Sequence, residues 1–583
     1  MINKRIEDIQ KLMLNSDLDM YYVTTSDYHN SEYLGEYFKT REFLTGFTGS
    51  QGTVVISRDA AYLWVDGRYF IQAENQLKGT CIQLMKMGQE GVPKISDFIS
   101  NNIKGNLGLD GKCSNIEFVN ELKSKGIKVI DIDIVSDLWN ERPKMADSKV
   151  YDLDVKYSGK TRNNKILELL DNLNGNIHII NALDEICWLL NIRADDIAHT
   201  PVVLSYMVIE QDNINLFIDK NKLDEDIEEK LLNAGVLIKD YNYFYDYLST
   251  ITKKTILLDF RKNNYASYAK LIENNELIDF KSPIDLAKAI KNSTEIENIK
   301  NAHIKDGIAM VNFIYSLKHQ NDGKIDEYEV SEMVAKERIQ NGAIDLSFST
   351  IAAYKENAAM MHYTASKDNA KKIDGNGLLL VDSGGHYLEG TTDITRTILI
   401  GEASKRQRKL YTKVLKSNID LASAKFLYGC SGLSLDILAR NPIWQMDLDY
   451  QCGTGHGVGY LLGVHEGPQA FRWRKSPLRN EDQVLEDGMI ITDEPGIYLQ
   501  DELGIRIENE LLCKKGNKNE YGQFMEFEEI TYCPFDRDLI DAKYLNKDEI
   551  KHLNNYNKKV YSTLKNYLLK DVRKWLKKEC EEI

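Results

Sequence analysis

The stretch 377-GLLLVDSGGHYLEGTTDITRTILI-400 decides how the rest of the chain reads. Two runs rich in leucine, isoleucine and valine or threonine flank a glycine-punctuated middle, which predicts two antiparallel strands joined by a tight connection. Asp382 and Asp393 lie eleven residues apart, with Gly384, Gly385 and Gly390 between them, so the pair of strands can bring both carboxylates to one face. A single Asp beside glycines more often caps a turn. Asp393 resists that reading, because TTDITRT places it where a strand interior is expected, and an unpaired carboxylate there is costly unless something binds it.

Moving outward, 453-GTGHGVG-459 surrounds His456 with glycines, which let backbone approach a bound group and permit positive φ. The loop matches neither the G-x-x-x-x-G-K nor the G-x-G-x-x-G phosphate-binding spacing. In 489-MIITDEPGIY-498, Glu494 precedes Pro495-Gly496, a turn that ends a strand at a defined residue. In 503-LGIRIENEL-511, Glu508 follows Arg506 by two, so both side chains face the same way along a strand. A Glu near an Arg is commonly just an ion pair. Four carboxylates and one imidazole in one region are harder to dismiss, since like charges drive each other's pKa upward unless cations neutralise them. Asp382, Asp393, His456, Glu494 and Glu508 are therefore candidate ligands for two divalent metal ions. Oxygen-rich ligation with one imidazole suits manganese or another first-row divalent ion, and such a pair activates water for hydrolysis. Two more histidines, His362 in MMHYT and His465 in VHEGP, fall in the same strand-rich region. His465-Glu466 lacks the second histidine of an H-E-x-x-H helix, and no G-x-S-x-G nucleophile elbow is present.

At 583 residues the chain is too long for one core. Lys and Arg number 74 against 89 Asp and Glu, a net charge of −15, which disfavours nucleic acid and anionic membranes as partners. Eight cysteines without a C-x-x-C pair suggest neither a disulfide framework nor a thiolate zinc site. The N-terminus MINKRIEDIQKLM reads as an amphipathic helix with Ile6, Ile9, Leu12 and Met13 on its apolar face, not as a secretory signal. No apolar run approaches the ~18 residues of a membrane span. A cytoplasmic protein is expected.

Four segments are expected. Residues 1–145 form an α/β unit, with GTVVISRDAAYLWVDGRY as a hairpin around Arg58-Asp59 and Trp64, Asp66, Arg68 and Tyr69 read as a capped turn at its end. Residues 146–290 replay that plan: NIHII, the helical LDEICWLLNI, the hairpin LSYMVIE with NINLFID, then ILLDFRK and LIDFKSP echoing LGLDGK and VIDIDIV. Residues 291–536 open on a long helix whose Thr294 and Glu297 fit a capping box, and turn to strands from Leu346, through MMHYTAS, to Cys533, save for a helical stretch Ser404 to Ala439. A curved sheet holding the candidate ligands on its inner face is expected. Residues 537–583 are a helical extension, capped at Asn546 and Glu549, with Ile550, Leu553, Val560, Leu564 and Leu568 as its stripe. It is expected to pack on the third segment or on a second subunit.

These motifs resemble the pita-bread metallopeptidases, specifically the three-domain Xaa-Pro aminopeptidases. The likeness rests on VDSGGHYLEGTTDITRT, GTGHGVGYLLGVHEGP, TDEPGIY and GIRIENE in the family's order, and extends upstream to DLSFSTIAAY, HIKDGIAM, ALDEICWLLNIR and DGRYFIQAENQ. It implies two repeated α/β N-terminal domains followed by a pita-bread catalytic domain, and removal of the N-terminal residue from peptides with proline second. It further implies that Asp382, Asp393, His456, Glu494 and Glu508 hold two metals, usually Mn²⁺, with Asp393 and Glu508 bridging. Glu494 would take the proton from the attacking water, His362 and His465 would contact the scissile peptide, and Arg506 would orient Glu508 or a neighbouring acid. A homodimer is implied as well. Some relatives have histidine where this chain has Cys452. A prolidase-like dipeptidase, a creatinase-like amidinohydrolase and a metal-free peptide-binding module are the alternatives on the same scaffold.

Overall fold

The computed structural model describes residues 1–173, 176–211, 213–320, 323–475 and 483–583. The chain divides into two compact units, residues 1–155 with 160–284, and 156–159 with 285–583.

In the first unit, helix Ile2–Asn15 buries Ile6, Ile9 and Met13, as its spacing predicts. Strands β1 (Leu18–Thr24), β2 (Thr53–Ser57), β3 (Ala61–Val65), β4 (Ile82–Lys86), β5 (Asn106–Leu109) and β6 (Lys128–Asp131) form a sheet of order β4-β3-β2-β1-β5-β6. Strands β7 (Ile177–Ile180), β8 (Ser205–Ile209), β9 (Ile214–Ile218), β10 (Val236–Lys239), β11 (Thr255–Leu258) and β12 (Glu276–Asp279) form a second, of order β10-β9-β8-β7-β11-β12. The two orders superimpose strand for strand, antiparallel in the hairpins and parallel at both flanks. The repeat read in the sequence is thus a repeat of topology. Equivalent loops also meet: Asn115 bridges Asn264, and each caps the helix that follows it through its own side chain. The WVDGRY cluster is a capped turn, in which Asp66 accepts from the Arg68 N–H and pairs with its guanidinium, while the buried Trp64 donates to the carbonyl of Pro93.

The second unit opens on helix Ser293–Gln320. Its cap differs from expectation. Asn292 Oδ1 accepts from the N–H groups of Thr294 and Glu295, and Glu295 returns a bond to the Asn292 N–H at 3.0 Å. Thr294 and Glu297 both lie inside the helix, so the box sits two residues earlier. Strands β13 (Ile351–Tyr354), β14 (Gly377–Ser383) and β15 (Ile394–Ile400) pair antiparallel in the order β13-β14-β15. MMHYTAS is not a strand: after β13 the chain forms a short 3₁₀ helix, Lys355–Ala359, and His362 follows in a turn. The expected helical stretch is two helices, Lys405–Ala422 and Gly432–Trp444.

The larger sheet is antiparallel throughout. It comprises β16 (Lys425–Leu427), β17 (Gly455–Gly457), β18 (Glu466–Phe471) and β19 (Ile490–Asp493), then, after the hairpin β20 (Gly496–Leu499) and β21 (Leu503–Arg506), β22 (Asn509–Asn519) and β23 (Gly522–Glu529), in the order β16-β23-β22-β19-β17-β18. Helix Lys547–Leu564 has the predicted Asn546–Glu549 capping box. Its Leu553, Tyr556, Val560 and Leu564 join Val414, Leu415, Ile505 and Ile507 in one core cluster, so the extension packs on the unit that carries the site.

Candidate metal centre

Strand ends present the four candidate carboxylates, and a short strand the histidine. Asp382 is the penultimate residue of β14, and Asp393 lies in the break just before β15, which corrects its expected interior position. The β14–β15 register sets Asp382 opposite Thr395 and Ser383 opposite Ile394, so both carboxylates fall at one end of the ladder. Glu494 follows the last residue of β19, and Glu508 lies between β21 and β22. His456 is central in β17.

The glycines around His456 serve close approach. None of Gly453, Gly455, Gly457 and Gly459 has positive φ, contrary to expectation. A Cβ on Gly455 would stand 1.8 Å from the carbonyl oxygen of Thr492, and one on Gly457 2.3 Å from that of Glu466. Only glycine lets β17 lie this near its neighbours.

Ligating atoms of Asp393, His456 and Glu508 all lie within 4.8 Å of one another. His456 Nε2 is 3.6 Å from Asp393 Oδ2 and 3.4 Å from Glu494 Oε1. Its Nδ1 is 2.9 Å from the carbonyl oxygen of Gly457, which can only accept, so Nδ1 carries the proton and Nε2 turns a lone pair to the acids. The rings of His456 and His465 meet edge to face at 4.3 Å.

Arg506 sits on the neighbouring acid Asp382. Its guanidinium pairs with Asp382 Oδ2, not with Glu508, and also donates to Tyr498 Oη at 2.7 Å, Thr395 Oγ1 at 3.1 Å and the Met361 carbonyl at 3.3 Å. Thr395 passes the link on, donating to Glu508 Oε2 at 2.8 Å. Arg396 secures the backbone of Glu508, with Nη1 2.6 Å from its carbonyl oxygen. Behind Asp393, the Glu510 carboxylate accepts the Asp393 N–H at 2.7 Å, and His303 Nε2 lies 3.1 Å from its other oxygen. Thr492 accepts from the His456 N–H at 3.0 Å and donates to Glu494 at 3.4 Å. Thr395, Thr492, Tyr498, Glu510 and His303 thus support the site without being marked by any motif of their own. Only Thr395 had a legible signal, two residues beyond Asp393 in an alternating run.

The electrostatics ask for a cation. Burial pushes Asp393 and Glu508 well above the usual carboxylate range, and repulsion from each other's neighbourhood, Asp382 and Glu494 included, adds to it. Burial also raises Glu494, with Asp382 adding, against the opposing pull of Arg506, His465 and Arg472. Asp382 Oδ1 and Asp393 Oδ1 are buried without a hydrogen-bond partner. Acceptor-only oxygens and one imidazole lone pair, converging and short of donors, fit divalent metal ions.

Residues 297–515 match the model of metallopeptidase family M24. Residues 5–138 and 141–295 each match a creatinase/prolidase N-terminal domain, and 523–583 the C-terminal region of peptidase M24. Xaa-Pro aminopeptidase 1 of Dictyostelium discoideum is 35% identical over 587 residues, covering 96% of this chain and 92% of that protein. The chain belongs to metallopeptidase family M24. Aminopeptidase P1 of Arabidopsis thaliana is 34% identical, covering 97% of each chain. Among solved structures, the X-prolyl aminopeptidase of Caenorhabditis elegans, described as a cytosolic enzyme with a di-nuclear active site, is 32% identical with a TM-score of 0.94, covering 100% of both chains. This M24 chain is a hydrolase whose second unit is the family's pita-bread domain, preceded by two creatinase-like repeats.

Proposed function

We propose that this M24 chain removes the N-terminal residue from peptides whose second residue is proline, using two divalent metal ions, Mn²⁺ in our reading, held by Asp382, Asp393, His456, Glu494 and Glu508. The observation that carries the reading is the convergence of Asp393, His456 and Glu508 within 4.8 Å, beside carboxylate oxygens left without donors. Names of full-length relatives support the proline preference.

When bound, such a metal pair lowers the pKa of a shared water and polarises the scissile carbonyl. Glu494, close to His456 and hydrogen-bonded by Thr492, is placed to take the proton of the attacking water and return it to the leaving proline nitrogen. The tertiary Xaa-Pro amide has no N–H of its own, so that delivered proton is what frees the product amine. His465, packed on His456, and His362 donate to the oxygen that gains charge. Arg506 fixes Asp382 and, through Thr395, Glu508, so the two sides of the site cannot shift independently. Cys452 stays a neutral thiol: burial, with Glu494 adding, raises its pKa to about 12.

We read the division of the chain as 1–145, 146–290, 291–536 and 537–583, in a cytoplasmic homodimer. No described helix is long and apolar enough to cross a membrane.

Replacing Asp393 or Glu508 by Ala tests the ligand assignment. Both variants should lose bound metal and turnover together; full activity with metal retained in either contradicts it.

A further inference from the structure

Between the end of β13 and the start of β14 the chain leaves the sheet, and His362 lies on that excursion. Its two chain neighbours are fixed from opposite directions. The Met361 carbonyl accepts from Arg506 at 3.3 Å, and the Tyr363 hydroxyl donates to Glu327 Oε2 at 2.8 Å. His362 itself is only half-buried.

Glu327 is the hub of the excursion. It is the first residue of helix Glu327–Gln340 and is fully buried. Its Oε1 accepts from the Tyr354 N–H at 2.6 Å and from Asn357 Nδ2 at 3.0 Å. Its Oε2 accepts from Asn357 Nδ2 at 3.1 Å, the Tyr363 hydroxyl and the Lys371 N–H at 2.8 Å. Tyr354 is where the chain leaves β13 and Lys371 lies at the far end of the excursion, so one carboxylate ties entry, middle and exit. The Glu327 N–H donates to the Lys371 carbonyl at 3.1 Å, which fastens the exit to the helix terminus. Every partner of the carboxylate is an N–H or O–H donor of this loop. Burying polar oxygens is expensive unless they are hydrogen-bonded, and here both oxygens are held in one geometry by these donors.

We infer that Glu327 is a positioning residue for the reaction, setting His362 toward the scissile peptide by holding Tyr363 and both ends of the loop. The inference rests on the role proposed above for His362. Glutamate suits the task because it accepts on both oxygens. A glutamine would turn an amide N–H against backbone N–H donors, and at least one loop contact would open.

The test uses the full-length, metal-loaded protein with an Arg-Pro-Pro peptide. kcat and KM are measured for Glu327→Gln, Tyr363→Phe, His362→Ala and the two double variants carrying His362→Ala, with bound metal counted for each. Glu327→Gln should lower kcat about tenfold to a hundredfold, the scale of a misplaced catalytic group, with KM and metal content little changed. Tyr363→Phe, which removes one contact and keeps the ring, should act in the same direction more weakly. In the His362→Ala background both effects should vanish to within twofold, because residues acting through one group are not additive. Losses that multiply in the double variants overturn the inference for Glu327 while leaving His362 in place. A His362→Ala variant of full activity beside an impaired Glu327→Gln overturns both. Should Glu327→Gln fail to fold, the Tyr363→Phe cycle decides alone.

Discussion

Arg506 and Asp382 are joined through the same guanidinium nitrogen that holds the Met361 carbonyl, so the candidate ligand and the loop bearing His362 share one anchor. The remaining nitrogens reach Tyr498 and Thr395. An ammonium group is a point charge and cannot span these four acceptors. Arg506→Lys is expected to lower kcat about a hundredfold, with Asp382 still charge-compensated; steady-state kinetics beside metal analysis would check it. Wild-type turnover would show that the fork is dispensable.

Thr395 links Arg506 to Glu508 by accepting from one and donating to the other. Thr395→Val keeps the shape and removes the hydroxyl, leaving a buried carboxylate oxygen one donor short, at a cost of about 1–3 kcal/mol. Metal affinity should fall by roughly tenfold to a hundredfold, as for other partners behind a ligand. A chelator competition titration measures this directly, and an unchanged affinity would remove Thr395 from the site's support.

Metal binding and pH should be linked with a definite sign. Burial, with repulsion from neighbouring carboxylates such as Asp382, raises Asp393, Glu494 and Glu508 in the metal-free fold, so that fold is favoured while they are protonated and loses stability as pH rises above the ordinary carboxylate range. Metal ions replace those protons. The rise in Tm on adding Mn²⁺ to stripped protein should therefore be larger at pH 8 than at pH 6. A shift independent of pH contradicts the electrostatic reading.

Glu528 has the opposite sign. Burial works against its charge, but hydrogen bonds from Lys300 and Lys514, with Lys559 nearby, bring its pKa down to about 2 from 4.5. A depressed carboxylate stabilises the fold above its unfolded pKa, and that contribution drains away as pH falls from about 4.5 toward 2. Its partly exposed ion pairs should be worth about 1 kcal/mol at neutral pH once solvent screening is allowed for. Urea denaturation at pH 6 should show Glu528→Gln less stable than wild type by that amount, and the gap should narrow by pH 4. A gap that widens in acid would reverse the assignment.

What could be read from the chain was chemistry carried by residue type and spacing. Asp382, Asp393, His456, Glu494 and Glu508 stand out because four carboxylates and a glycine-flanked imidazole fall in one strand-rich region, and the topological repeat is visible because equivalent strands share a pattern. What escaped was chemistry carried by contact. Glu327 reaches Lys371 across 44 residues and Glu510 reaches Asp393 across 117. Nothing in the sequence distinguishes either glutamate from those on the surface. The cap at Asn292 was misplaced because Asn292, Ser293 and Thr294 all carry capping side chains and two glutamates, Glu295 and Glu297, lie at workable distances. The glycines of the His456 segment were recognised, but their purpose lies in the carbonyls of Thr492 and Glu466, which only the packed sheet reveals.

The most direct measurement is release of the N-terminal residue from an Arg-Pro-Pro peptide and an Arg-Ala-Ala control, using metal-stripped protein with and without added Mn²⁺. The account predicts cleavage of the proline peptide alone, absent from stripped protein and restored by Mn²⁺. Cleavage of neither peptide by protein carrying two bound metals, or equal cleavage of both, would contradict it.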